Sequence, residues 1–181
     1  FGKWHVSVKP DLCGYDESDG STSNREGSNS KDKDDPKRVY GVTKRSVAFM
    51  EKAVAAKKPF FLQVSHYADH LKFKSSQAMQ AKYEALTPGE RHTDPVFEGM
   101  NEDLDAGVGQ IMDAVEKLGI KDNTYIVYTA DNGFDQSNDR LHGIAERKAW
   151  PLAYSKGFVF DGGPPVPFIV RGPGINPNSF S

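Results

Sequence analysis

Lys3 and His5 flank Trp4 in the stretch GKWH, and a second group, His66, Asp69 and His70, follows in HYADH. Asp131 and Asn132 stand in ADNG, and Lys156 in YSKGF. Oxygen donors of the Asp-Asn kind suit a hard divalent cation such as calcium or magnesium. Two such residues are too few for the ion, so further ligands must come from elsewhere. Lysines and imidazoles around a cation suit an anionic substrate. The cation and the lysines neutralise charge, and histidine moves protons.

Each piece also has an ordinary reading. An Asp-Asn-Gly after a strand is more often a turn than a metal site. His66 and His70, taken singly, are more often hydrogen-bonded structural residues, and Lys156 is by default a solvated loop lysine. His92 and His142 have no supporting context and read as structural. Glu102, Asp103 and Asp105 read as a solvated helix face. Asp16, Ser18 and Gly20 resemble the start of a calcium loop, but Gly27 stands where its bidentate glutamate is required, which rejects that reading. Cys13 is the single cysteine and has no histidine beside it, so it reads as an inert thiol. Spacing alone supports an α/β domain with a hard-metal site and goes no further.

The elements that must position these groups follow from periodicity. Val39, Thr43, Val47, Met50 and Val54 recur at helical spacing and predict a helix over 39–57. Pro59 stops it, and Phe60 to Ser65 reads as a short buried strand. A second helix is predicted over 75–86, ended by Pro88 and Gly89. The third, over 95–118, has Asp94 as N-cap, Pro95 at its first position and Gly119 at its stop. Its apolar stripe runs Phe97, Met100, Leu104, Val108, Ile111, Val115 and Leu118. Asn123 to Ala130, NTYIVYTA, and the later VPFIVR read as strands. Helices alternating with apolar strands imply an α/β fold, a mostly parallel sheet sandwiched by helices. In such sheets ligands bind beyond the carboxyl ends of strands, which is where His66, Asp69, His70, Asp131 and Asn132 fall.

At 181 residues the chain is long enough for one domain with a real core. A formal net charge of −2 gives no electrostatic footprint for nucleic acid or an anionic membrane. No apolar run approaches a membrane span. Residues 16–37, DESDGSTSNREGSNSKDKDDPK, are almost free of apolar side chains and read as a long polar, solvated loop.

Together the segments GKWH, KKPFFLQVSHYADH, MNEDLDAGVGQIMDAVEKLGIKDNTYIVYTADNG and SKGFVFDGGPPVPFIVRGPG resemble, in order, the formylglycine-dependent sulfatases of the alkaline-phosphatase-like superfamily. The resemblance implies one calcium ion, with Asp131 and Asn132 as two of its ligands. It implies that Lys3 steadies the charged nucleophile and that His5 is the base that helps expel sulfate from the covalent intermediate. His70 then contacts sulfate and helps protonate the leaving alcohol, and Lys156 binds a sulfate oxygen. It also implies a sulfated small molecule or carbohydrate as substrate, and export from the cell.

Three departures stand out. Family members usually have a proline soon after the histidine matching His70, where this chain reads HLKF. Asp161 and Pro165 in DGGPPVP replace a glutamate and an arginine of the family pattern. The nucleophile motif, Cys-x-Pro-x-Arg or its serine version, does not occur, and LCGYD around Cys13 does not match it. The expectation is therefore that residues 1–181 are the central and later part of one catalytic domain, with nucleophile and two calcium-binding aspartates upstream and a smaller subdomain downstream. The segment alone is expected to be inactive. A related phosphodiesterase or phosphonate hydrolase, and a non-catalytic anion-binding remnant, remain the alternatives.

Overall fold

The structure, a computed structural model, describes residues 1–89, 94–134 and 154–179. His92 and His142 lie outside the described residues. The described chain forms two compact units, one of residues 1–89 and 94–118 and one of 119–134 and 154–179.

In the first unit, helices α1 (Asn24–Ser28), α2 (Val39–Ala55), α3 (Gln77–Glu84) and α4 (Pro95–Lys117) follow one another. Helix α1 interrupts the polar 16–37 stretch. It exists because Ser23 and Glu26 form a capping box that satisfies otherwise orphaned backbone donors. Helix α2 starts where the Asp35 carboxylate accepts from the Tyr40 and Gly41 amides at 3.1 and 2.7 Å. Helix α4 begins as its sequence predicts: the Asp94 side chain accepts from Val96 and Phe97, and Pro95 occupies the first turn. Gly119, at φ 67, follows its last turn.

The buried faces are turned slightly from the predicted stripes. In α2, Val42 and Ser46 are buried beside Val39, Thr43 and Met50, while Val47 and Val54 are only half-buried. In α4, the innermost positions include Gly99, Met100, Asp103, Gly107, Ala114 and Val115. Small residues explain the turn. A Cβ at Gly107 would lie 2.5 Å from Cγ1 of Val39, so the two helices approach where side chains are smallest.

Asp103 corrects the solvated-face reading. It is 4 % exposed and accepts from the Tyr40 hydroxyl at 2.7 Å, the Ser76 amide at 2.7 Å and the Ser76 hydroxyl at 2.8 Å. One carboxylate thereby ties α2, the start of α3 and α4 together. Burial and the Asp103 charge push the Tyr40 hydroxyl well above its usual range. Glu102, by contrast, pairs with Lys82 at 2.7 Å near solvent.

The expected strand at 60–65 is extended chain with a single parallel bridge, Gly2 to Ser65. Lys3 N donates to Ser65 O at 2.8 Å, and Ser65 N to Phe1 O at 2.9 Å. Among the described residues this bridge is its backbone pairing, and Phe61 is 75 % exposed. Phe60 does pack, edge-on to Phe49 of α2 at 5.9 Å.

In the second unit, β1 (Ile126–Thr129) pairs antiparallel with β2 (Phe168–Arg171), Ile126 opposite Arg171 and Thr129 opposite Phe168. Both strands lie inside their predicted runs and, with the helices, agree with the α/β class; the expected sheet was mostly parallel, whereas this pair, the one sheet among the described residues, is antiparallel.

Candidate functional site

GKWH is held by its backbone. Gly2 sits at φ 94, and a Cβ there would fall 2.1 Å from Ser65 O, so no other residue fits the approach. Asp19 accepts from Gly2 N at 2.8 Å, and Arg45 grips the same carboxylate through Nε and Nη2, each at 2.7 Å. Burial pushes the Asp19 carboxyl up, but the Arg45 and Gly2 hydrogen bonds outweigh it and hold the group below its usual range. Thr22 Oγ1 accepts from Trp4 N at 2.9 Å and donates to Gly2 O at 2.5 Å, while His5 N donates to Thr22 O at 2.8 Å. The polar stretch is thus a clamp on residues 2–5. It leaves Lys3 half-buried and His5 exposed, at φ 54.

The second cluster separates two histidines by environment. His66 Nε2 meets the Thr43 hydroxyl at 3.1 Å, and Thr43 is fully buried. Burial pulls the His66 imidazole down to about 4, so it is neutral at physiological pH and structural. His70 is half-buried, and its Nδ1 lies 2.9 Å from Leu71 O. A carbonyl only accepts, so Nδ1 carries the hydrogen there. In the neutral ring Nε2 is then the nitrogen that carries the lone pair.

The loop carrying His70 is tied down by a residue that sequence reasoning missed. Lys37, 2 % exposed, donates through Nζ to His70 O at 2.5 Å and Lys72 O at 3.2 Å. Ser28 Oγ donates to Leu71 O at 3.1 Å. Burial pulls Lys37 down to about 8. Asp69 opposes that shift, while Lys74 and Lys3 add to it. Lys3 is therefore close enough to be felt at the back of the His70 loop, and this part of the unit is rich in cations. No local signal distinguishes Lys37 from the other charges of SKDKDDPK.

In the second unit, the Asp-Asn-Gly turn and the Lys156 segment are joined directly. Gly133 N donates to Gly163 O at 2.6 Å, and Lys156 N donates to Phe134 O at 2.9 Å. A Cβ at position 133 would lie 2.2 Å from Gly162 O, so Gly133 and the Gly-Gly turn require each other. Asp131 is exposed at the end of β1, and Asn132 donates through Nδ2 to Gly133 O at 2.8 Å, keeping Oδ1 as its acceptor. Lys156 is half-buried, and nearby Tyr154 stacks on Phe158 and Phe160 at 4.9 and 4.5 Å.

Asp131 and Asn132 are all-oxygen donors and fit part of a calcium shell, which takes six to eight oxygens. Among the described residues, no group of three or more His, Cys, Asp or Glu side chains converges to complete one. No helix among them is long and apolar enough to cross a membrane.

A family model described as Sulfatase matches residues 1–179. A sulfatase from Formosa agariphila is 32% identical over 145 residues, covering 74% of this chain and 24% of the relative. Arylsulfatase A of Bos taurus is 32% identical over 143 residues, covering 77% and 26%. Among solved structures, Ps i-CgsB in complex with k-i-k-neocarrahexaose superposes with a TM-score of 0.62 at 30% identity, covering 75% of this chain and 28% of that one. The chain spans about a quarter of the length of the proteins it matches.

Proposed function

The chain belongs to the sulfatase family, and from that premise we propose that the enzyme containing it hydrolyses sulfate esters with the help of one calcium ion. Residues 1–181 are read as the central and later part of its catalytic domain, and a sulfated carbohydrate is the substrate class. The oligosaccharide bound to Ps i-CgsB supports that class. One observation carries the reading. The oxygen donors Asp131 and Asn132 and the cation Lys156 share a hydrogen-bonded framework, through Gly133 to Gly163 and Lys156 to Phe134. A metal-assisted reaction at an anionic ester needs that combination of hard donors and fixed positive charge.

Each residue then has a part. Asp131 and Asn132 would hold calcium, which when bound neutralises substrate charge and acts as a Lewis acid. Lys156 binds a sulfate oxygen, and Lys3 stabilises negative charge at the nucleophile, the formylglycine contributed from outside this segment. His5 accepts a proton as sulfate is released. His70, as the imidazolium with its Nδ1 hydrogen committed to Leu71 O, gives the leaving alcohol the second proton, held on Nε2, and is left neutral. Export from the cell accompanies this reading.

The test is selectivity of turnover. The full-length enzyme is expected to hydrolyse para-nitrophenyl sulfate and a sulfated oligosaccharide, to lose that activity to a calcium chelator, and to spare the corresponding phosphate and phosphonate esters. Residues 1–181 alone are expected to turn over none of them. Preferential hydrolysis of phosphate or phosphonate esters would replace this reading, and no hydrolysis of any of them would leave an anion-binding protein.

A further inference from the structure

A buried lysine is rare unless its charge or its donors are used. The Nζ of Lys37, 2 % exposed, donates to backbone carbonyls at both ends of one short loop, His70 O at 2.5 Å and Lys72 O at 3.2 Å. The carbonyl between them, Leu71 O, receives Ser28 Oγ at 3.1 Å and His70 Nδ1 at 2.9 Å. Every carbonyl from 70 to 72 therefore has a donor, and two of those donors reach in from residues 28 and 37. The loop has no proline to stiffen it, since Leu71, Lys72 and Phe73 follow the histidine. An apolar side chain at position 37 would fill the space at less desolvation cost, but it would orient no carbonyl.

We propose that Lys37 is a positioning residue for His70: by holding the carbonyls of His70 and Lys72, it sets Leu71 O to receive the Nδ1 hydrogen and so fixes the ring's tautomer and orientation. The inference rests on the reading of His70 as the group that protonates the leaving alcohol. The electrostatics agree, because Lys37 and Lys3 feel each other's charge, and Lys3 is the residue proposed to steady the nucleophile.

The test combines ring-nitrogen chemical shifts of isotopically labelled histidine in the full-length enzyme with steady-state kinetics. His70→Asn identifies the signal. In the wild type, neutral His70 should be in the Nδ1–H form. In Lys37→Met it should relax toward the mixture of a free imidazole, with kcat for a sulfate ester down roughly 10- to 100-fold and KM changed by less than about threefold. Lys37→Met with an unchanged His70 tautomer and unchanged kcat would overturn the proposal. So would a wild-type His70 in the Nε2–H form, which decides the matter even if the variant does not fold. If the wild type cleaves no sulfate ester, the functional reading of His70 fails, while the tautomer comparison still tests the clamp itself.

Discussion

Asp19 and Arg45 form a two-point ion pair, Oδ1 to Nε and Oδ2 to Nη2, each at 2.7 Å, and the same carboxylate accepts the Gly2 amide at 2.8 Å. The pair links α2, through Arg45, to the backbone immediately before Lys3. Its value lies in where it holds the chain, because Arg45 is about half exposed and a solvated ion pair contributes little.

Asp19→Ala should therefore lower stability by only about 1–2 kcal/mol, with a larger effect on order near Lys3 and His5. Amide exchange of Gly2, Trp4 and His5 is the measurement; exchange unchanged at all three would remove Asp19 from this role. The sign with pH follows from the lowered carboxyl. The contribution is present above the ordinary carboxylate range and is lost as the pH falls through the folded group's own, lower value.

Gly2→Ala should be far more damaging. The new Cβ would lie 2.1 Å from Ser65 O, on a backbone at φ 94 that side chains rarely adopt. A loss of about 2–4 kcal/mol is expected in denaturant unfolding, together with loss of the Gly2–Ser65 bridge. A variant as stable as the wild type would contradict the described packing.

Asp103→Ala should cost about 3 kcal/mol or more, because it leaves the Tyr40 hydroxyl and the Ser76 amide without their acceptor. Asp103→Asn keeps a carbonyl oxygen there and should cost clearly less. Equal losses for the two would mean that packing, not hydrogen bonding, sets the effect. Asp105→Ala, at an exposed position, should be close to neutral.

Lys37 gives stability a distinctive dependence on pH. The unfolded chain keeps this proton to about 10.5, and the folded chain releases it near 8. Between those values the unfolded state binds more protons, so stability should rise with pH, by roughly 3 kcal/mol across the window. Tyr40 acts the other way only above its ordinary value of 10.0, since its raised hydroxyl keeps its proton longer in the folded state. Denaturation between pH 8 and 9.5 isolates the lysine. The rise should be absent in Lys37→Met, and a wild type without it would show that the ammonium is not buried.

Much of the scaffold was legible because its signals are local. Asp94, Pro95 and Gly119 mark the ends of α4 whatever surrounds them, and the β-branched run before Asp131 reads as strand on its own. Asp103 was not legible, since its burial depends on Tyr40 and Ser76, which are distant in sequence and unremarkable singly. The 60–65 run has strand composition, but a ladder needs partners, and among the described residues only Phe1 to Lys3 pair with it. The candidate residues were found by type and order. Their supports, Asp19, Thr22, Arg45 and Lys37, were hidden in polar stretches where charge normally means solvent. The clamp from residues 19 and 22 onto GKWH, and from 28 and 37 onto the His70 loop, gives the 16–37 stretch a structural use that its composition conceals.

Asp131 and Asn132 are proposed to help hold a calcium ion used in sulfate-ester hydrolysis. Calorimetric calcium titration of the full-length enzyme and of its Asp131→Ala variant, with turnover of para-nitrophenyl sulfate followed on the same samples, tests it most directly. Calcium affinity and turnover should fall together in the variant, each by at least about 100-fold. Wild-type calcium affinity with wild-type turnover in Asp131→Ala would rule out Asp131 as a ligand of a calcium ion used in the reaction.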